Sequence, residues 1–182
     1  MKVIGVVGYP ASGKGEFSRV AGEMGIPVVV MGDVIREEAR RAGLPPTDGN
    51  LGAVAQQLRM EEGMDAIARR CVPRIRQAAS PVVLVDGIRG DAEVRLFREA
   101  FPGFVLVAIT APFPERARRL SARGREDDHE NPLALEERDR REAAWGLDRA
   151  IRDADHVIEN DGTLEEFARD ARDLLRAIAE DP

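Results

Sequence analysis

The sequence predicts a three-layer α/β domain built on a five-stranded parallel sheet, and three observations carry that prediction. Short β-branched runs recur as KVIGVV at 2–7, PVVVM at 27–31, PVVLVD at 81–86, FVLVAI at 104–109 and HVIEN at 156–160. The stretches between them have the charge, length and period of helices, as crossover connections between parallel strands require. A glycine-rich loop follows the first run directly. Because parallel strands are buried on both faces, helices are expected on both sides of the sheet.

The elements follow in order. After the first strand and its loop, the pattern predicts a helix over 16–24, then the second strand, with Asp33 just beyond it. The stretch 44–80 reads as an excursion from the sheet. It opens with LPPTDGN, where Asn50 is placed to cap the mixed helix GAVAQQLRMEEGMDAIARR that runs up to Pro73. The third strand ends on Asp86 after four apolar residues. Beyond the fourth strand lies an arginine-rich region, 116–141, interrupted at 124–134 by the acidic GREDDHENPLA. Both excursions suit mobile flaps over a site at the carboxyl ends of the strands, an insertion at 44–80 and a short lid at 124–134.

Composition narrows the function classes. At 182 residues, 43% apolar and 33% charged, the chain suits one domain spanning 1–182. Its 33 acidic and 27 basic residues leave a net charge of −6, which argues against a nucleic-acid partner. Cys71 is the single cysteine, so an internal disulfide is excluded, and the absence of a Cys/His ligand cluster speaks against a structural zinc. No stretch approaches the roughly 18 uninterrupted apolar residues of a spanning helix, and the start MKVIGVVGYP does not read as an export signal. A cytoplasmic protein without a membrane partner is expected.

The strongest chemical signal is Gly8-Tyr9-Pro10-Ala11-Ser12-Gly13-Lys14-Gly15, the Walker A form G-x-x-x-x-G-K placed between a strand and a helix that continues with Glu16. A triphosphate needs many aligned amide donors and a cation in a tight bend, which glycines permit sterically while the helix N-terminus and Lys14 supply the charge. Lys2 and Lys14 are the only lysines among 27 basic residues, so a chain that otherwise writes Arg keeps a compact ammonium here. Position 15 is Gly where such loops usually place the Ser or Thr that ligates Mg²⁺. Asp86 is then the natural carboxylate for the metal or its waters, with Asp33 the next candidate, although Asp at a strand end also serves as a helix cap.

These residues resemble the adenylate kinase and nucleoside monophosphate kinase group, whose P-loop variant is G-x-P-x-x-G-K-G. Gly32-Asp33-Val34-Ile35-Arg36 is similar to the group's T-G-D-x-x-R segment, and Asp86-Gly87-Ile88-Arg89 to its D-G-F-P-R, one residue short and without the proline. The resemblance implies a P-loop kinase fold. It implies that Asp33 and Asp86 serve Mg²⁺ and its waters, and that Arg36 and Arg89 grip an acceptor phosphate. Arg119 and Arg123 resemble the arginines that start the kinase lid, and Arg138 and Arg141 those that close on the transferring group. The segment Ala154 to Thr163 looks more like dephospho-coenzyme A kinases, and also like the D-G-T that lies beside the adenine in adenylate kinases. On that likeness Asn160 and Gly162 join the ATP-binding set. Position 93, where adenylate kinases place the Gln that reads AMP, is Glu93; it is either a reader of guanine, whose ring N–H and amino group suit a carboxylate, or one solvated charge.

The expected activity is therefore ATP- and Mg²⁺-dependent phosphoryl transfer to a nucleotide-like acceptor. Such transfer is mostly positioning and cationic stabilisation, which Lys14, Mg²⁺ and a ring of arginines supply. The flap at 116–141 is expected to close only when both substrates are bound, excluding water. Dephospho-coenzyme A kinase activity is the nearest alternative; a nucleotide-gated ATPase, switch or sensor is the alternative of another class. Many of the arginines have acidic partners three or four residues away, so Arg116, Arg118, Arg125 and Arg140 read as solvated helix charges. Trp145 reads as core packing, His129 and His156 as uninvolved, and Gln56, Gln57 and Arg59 as either acceptor contacts or a polar helix face.

Overall fold

The computed structural model describes residues 1–123 and 132–181, with the side chains of 122 and 123 outside that description. Among the described residues the order is β1 (Lys2–Val7), α1 (Lys14–Glu23), β2 (Val28–Val30), α2 (Met31–Arg41), α3 (Asp48–Glu62), α4 (Ala66–Gln77), β3 (Val82–Ile88), α5 (Asp91–Ala100), β4 (Gly103–Thr110), α6 (Phe113–Arg123), α7 (Pro132–Ala144), α8 (Leu147–Arg152), β5 (His156–Glu159) and α9 (Leu164–Glu180). The five strands pair in parallel in the order β2-β3-β1-β4-β5. Helices cover both faces, so the expected three-layer architecture is what the chain adopts.

The period of two along the strands sorts the core into two layers. Val3, Val7, Val83, Val85, Leu106 and Ala108 face one core, shared with residues of α2, α3, α4, α5 and α8. Ile4, Val6, Leu84, Val107 and Ile109 face the other, against Phe17, Val20 and Ala21 of α1 and Phe167, Ala171, Leu175 and Ile178 of α9. Phe17 and Phe97 anchor opposite layers at 0% exposure, and burying a side chain of that kind contributes about 1.5–3 kcal/mol.

Several element boundaries differ from the sequence expectation for local physical reasons. Helix α1 begins at Lys14 rather than 16, because the carbonyl of Gly13 already accepts from the amides of Glu16 and Phe17 at 3.0 and 3.1 Å. The second strand stops at Val30, and Met31 turns straight into α2. Thr47, not Asn50, caps α3: its extended backbone lets the hydroxyl accept from the Asn50 amide at 3.3 Å, while the Asn50 side chain donates to the Pro45 carbonyl at 2.9 Å. The single expected helix is two, broken at Gly63, and Pro73 lies inside α4 instead of ending it. A proline inside a helix costs about 3 kcal/mol; burial of Ala66, Ile67, Ala68, Cys71 and Ile75 offsets it and makes α4 part of the core. The rest of the expected excursion, including α3, adjoins the cleft described below. Of the expected lid at 124–134, residues 124–131 lie outside the described residues, His129 among them, and 132–134 open α7. No helix among the described residues is long and apolar enough to cross a membrane.

Candidate active site

β1 delivers the phosphate loop to the carboxyl edge of the sheet, and Gly13 turns it into α1 at φ +119°. A side chain at Gly13 is doubly excluded, by that left-handed backbone and by the Asn160 amide nitrogen, 2.2 Å from where a Cβ would lie. Pro10, Ala11, Gly13, Lys14, Gly15 and Glu16 line a cleft of about 540 Å³. Gly8, Tyr9 and Ser12 shape the loop from behind. The Gly8 and Tyr9 carbonyls accept from Lys14 Nζ at 2.6 and 2.9 Å, Ser12 is fully buried with its hydroxyl unpartnered, and the Tyr9 hydroxyl donates to Asp148 at 2.5 Å. Tyr9's phenol is pushed well above its ordinary range by burial and by Asp148, so it stays protonated and keeps the proton it donates.

Lys14 is 8% exposed. Burial, then the nearby Arg89 guanidinium, bring its ammonium down to about 7. A polyanion in the cleft restores the charged form, so its binding above pH 7 takes up a proton. We expect triphosphate binding at pH 8 to show uptake approaching one proton by calorimetry in buffers of different ionisation enthalpy, and little uptake at pH 6. In the ligand-free protein the unfolded chain binds the extra proton between pH 7 and the ordinary lysine value of 10.5. This group therefore makes stability rise with pH across that window.

The same cleft is cationic beyond the loop as well. Arg36 of α2, Arg89 after β3 and Arg138 of α7 line it, over an apolar floor that includes Met31, Ile35 and Ile67. Two carboxylates, the buried Glu142 and the partly buried Asp48, hold the arginines in place. Glu142 pairs with Arg89 at 2.7 Å and Arg138 at 3.3 Å, and Asp48 pairs with Arg141 at 3.0 Å and Arg138 at 3.5 Å. Arg141 lines a smaller annex of about 110 Å³ with Trp145, Leu51 and Gly52, and its Nε is buried without a hydrogen-bond partner. Trp145 packs against the core as expected, half-buried, and its ring also carries guanidinium groups, Arg59 at 4.2 Å and Arg141 at 5.8 Å from its centre.

Four expected site residues are placed otherwise. Glu93 is 1% exposed and does not reach the cleft; one oxygen pairs with Arg59 at 2.8 Å and the other accepts the Arg89 amide at 2.7 Å. Neither a guanine-reading role nor a solvated charge describes it. Asp33 of α2 is 57% exposed in its side chain and pairs with Arg36 at 2.6 Å, and it does not itself line the cleft. Asn160 is a strut: its amide donates to the Ser12 carbonyl at 2.8 Å, and its oxygens accept from Arg119 at 2.8 and 3.3 Å. Gly162 is exposed in the cap of α9, where Thr163 and Glu166 form a capping box. The side chain of Arg123 lies outside the described residues.

Sequence periodicity hid two residues that the fold brings in, Arg116 and Ser18, and left Arg59 open between an acceptor contact and a polar helix face. Arg116, set aside as a solvated charge, is 6% exposed; it grips Asp139 of α7 with two bonds at 3.0 and 2.7 Å, donates to the Pro10 carbonyl at 3.2 Å and lies over the Tyr9 ring. Its partners are distant in sequence, whereas its acidic neighbours on α6 are what the pattern displayed. Arg59 pairs with Glu93 across 34 residues. Ser18 of α1 donates to Asp86 at 2.9 Å.

The cleft combines cationic donors with a carboxylate. Arg119 lines it and keeps a buried, unpartnered Nη1, a donor awaiting an acceptor. No group of three His, Cys, Asp or Glu side chains gathers among the described residues. Of the cleft carboxylates, Glu16 pairs with Arg19, which leaves Asp86 to face the loop. One carboxylate combined with phosphate oxygens and waters is the donor set Mg²⁺ prefers, so these residues fit that ion.

Comparison with known proteins bears on the family and the fold. The family model described as an AAA domain matches residues 4–146. A "UPF0200 protein" of Methanoculleus marisnigri is 59% identical over 175 residues, covering 96% of each chain. The chain belongs to the UPF0200 family. A second member, from Methanoregula boonei, is 57% identical over the whole of both chains. The UPF0200 fold is that of P-loop kinases: a shikimate kinase from Bacteroides thetaiotaomicron superimposes with a TM-score of 0.62 at 14% identity, covering 96% of this chain and 98% of its own. A gluconokinase from Sinorhizobium meliloti gives 0.61 at 21% identity, covering 98% and 94%.

Proposed function

We propose that the chain is an ATP- and Mg²⁺-dependent phosphotransferase that acts on a nucleotide-like acceptor. The observation that carries this reading is one continuous cleft that brings the Lys14 loop together with three further cations, Arg36, Arg89 and Arg138. A hydrolase has no need of a second cationic wall; a kinase needs one to grip an anionic acceptor in line with the donor.

In this reading the loop amides and Lys14 hold the donor phosphates, and Arg119 lies beside them. Mg²⁺, held by Asp86 and the phosphates, supplies charge neutralisation. Arg36 and Arg89 fix the acceptor, while Arg138 and Arg141 approach from α7. Arginine suits these roles because its planar fork pairs with two oxygens at once and stays charged. Glu142 and Asp48 keep the arginines ordered before substrate arrives. The burial of Glu93 removes base reading at that position, so acceptor identity rests on the cleft floor and Arg59. An adenylate kinase-like or dephospho-coenzyme A kinase-like acceptor remains within this proposal, as does location in the cytoplasm.

The test is a coupled assay with Mg²⁺-ATP against ribo- and deoxyribonucleoside monophosphates and dephospho-coenzyme A. Gluconate and shikimate are added because the structural neighbours are named for them. Arg36 is half-exposed and paired only at the surface, so Arg36→Ala leaves the fold intact. Loss of a charged hydrogen bond to the acceptor is worth about 1.5–3 kcal/mol, so kcat/KM for the acceptor should fall roughly 10- to 100-fold while the KM for ATP holds. ATP hydrolysis indifferent to every acceptor and to Arg36→Ala would instead establish the ATPase or switch.

A further inference from the structure

The hydroxyl absent from position 15 has a counterpart one turn further along α1. Nothing lies within 4 Å of where a Cβ at Gly15 would sit, so space does not explain the glycine. Ser18 Oγ, in contrast, stands 2.9 Å from Asp86 Oδ2 and 3.0 Å from the Lys14 carbonyl. A hydroxyl has one proton to give, and a carboxylate is the stronger acceptor, so the Ser18 hydroxyl donates to Asp86.

Asp86 is itself set by an irregularity in the sheet. The β1–β3 register runs Val6 to Asp86 and then Val7 to Ile88, which leaves Gly87 as an extra residue at φ +99°. This bulge ends the regular ladder next to the phosphate loop, and such irregularities re-aim side chains at functional edges. Asp86 thus lines the cleft from β3 while one of its oxygens is tied to the helix that carries the loop lysine.

We propose that Ser18 is a positioning residue for the metal–nucleotide complex, holding the Asp86 carboxylate in the orientation that receives the Mg²⁺ shell. This rests on the reading of the cleft as a metal–nucleotide site. Ser18 does not touch the metal; it fixes the group that does, as outer-shell partners of metal ligands commonly do.

Mn²⁺ is the probe, followed by electron paramagnetic resonance in a titration of the full chain with ADP present, beside calorimetry of ADP binding in EDTA. Ser18→Ala is expected to weaken Mn²⁺ affinity in the nucleotide complex about tenfold, with metal-free ADP affinity within about twofold of wild type and with Ser18→Thr restoring the metal affinity. In an Asp86→Asn background Ser18→Ala should add nothing, because the two act as a unit. Unchanged Mn²⁺ affinity in Ser18→Ala overturns the proposal, and so does an equal loss of metal-free ADP binding, which would make Ser18 a mere support of α1. A wild-type protein that binds ADP with no effect of Mn²⁺ fails earlier, against the metal reading itself.

Discussion

Replacing Lys14 by alanine is expected to lower phosphoryl-transfer turnover by about 10²- to 10³-fold, the loss typical of deleting one preorganised charge donor in a dry site. The residue sits 2.6 and 2.9 Å from two loop carbonyls and is almost wholly enclosed, so its ammonium is held at one place in the loop. Lys14→Arg should not rescue the activity, since a planar guanidinium does not fit where a compact ammonium bridges two carbonyls. The other lysine, Lys2, is occupied elsewhere, donating to the carbonyls of Ile178 and Asp181 at the end of α9. Steady-state kinetics on Lys14→Ala, with a thermal melt to confirm folding, checks the expectation. Turnover within a few-fold of wild type would remove Lys14 from the chemistry.

The largest effect on stability is expected at Arg59. Its side chain is 3% exposed and its partner Glu93 is 1% exposed, so Arg59→Ala strands a buried carboxylate. Breaking such a pair from one side costs about 3–5 kcal/mol. Burial already raises the Glu93 carboxyl above its ordinary value, opposed chiefly by Arg59. Without the arginine the rise is larger, so the folded state keeps a proton that the unfolded state has lost. Stability then falls as pH rises above the ordinary value of 4.5, and the variant should recover on acidification. Urea unfolding of Arg59→Ala at pH 7 and pH 5.5 reads this directly: a deficit that shrinks at the lower pH is expected, and Arg59→Ala with Glu93→Gln should regain part of it. A deficit independent of pH would assign the loss to Arg59 packing on Trp145 instead. Because Glu93 also accepts the Arg89 amide, acceptor binding should weaken along with the fold.

Asp48 and Glu142 give the cleft a resting state. Each neutralises arginines that would otherwise repel one another across α3, α7 and the end of β3. An incoming phosphate competes with them, and the order they impose lowers the entropic cost of assembling several flexible cations around one ligand.

What the sequence alone determined is local or periodic. A β-branched run, a loop whose glycines and lysine must stand at fixed offsets, and a helix starting behind them are encoded within a dozen residues, so β1, the Lys14 loop and α1 were legible. The strands β1, β3 and β4 were legible too, because parallel strands buried on both faces leave near-continuous apolar runs, and the outer strands β2 and β5 showed as shorter β-branched runs. Arg36, Arg89 and Arg138 followed from the resemblance to the nucleoside monophosphate kinases, and all three line the cleft. The tertiary structure decided the residues whose partners are far along the chain: Arg116 on Pro10 and Asp139, Asn160 on Ser12, Ser18 on Asp86 and Glu93 under Arg59. A charged residue beside a helical neighbour of opposite sign looks the same in sequence whether it is solvated or buried. Which of the two it is depends on desolvation by elements that only the fold brings together.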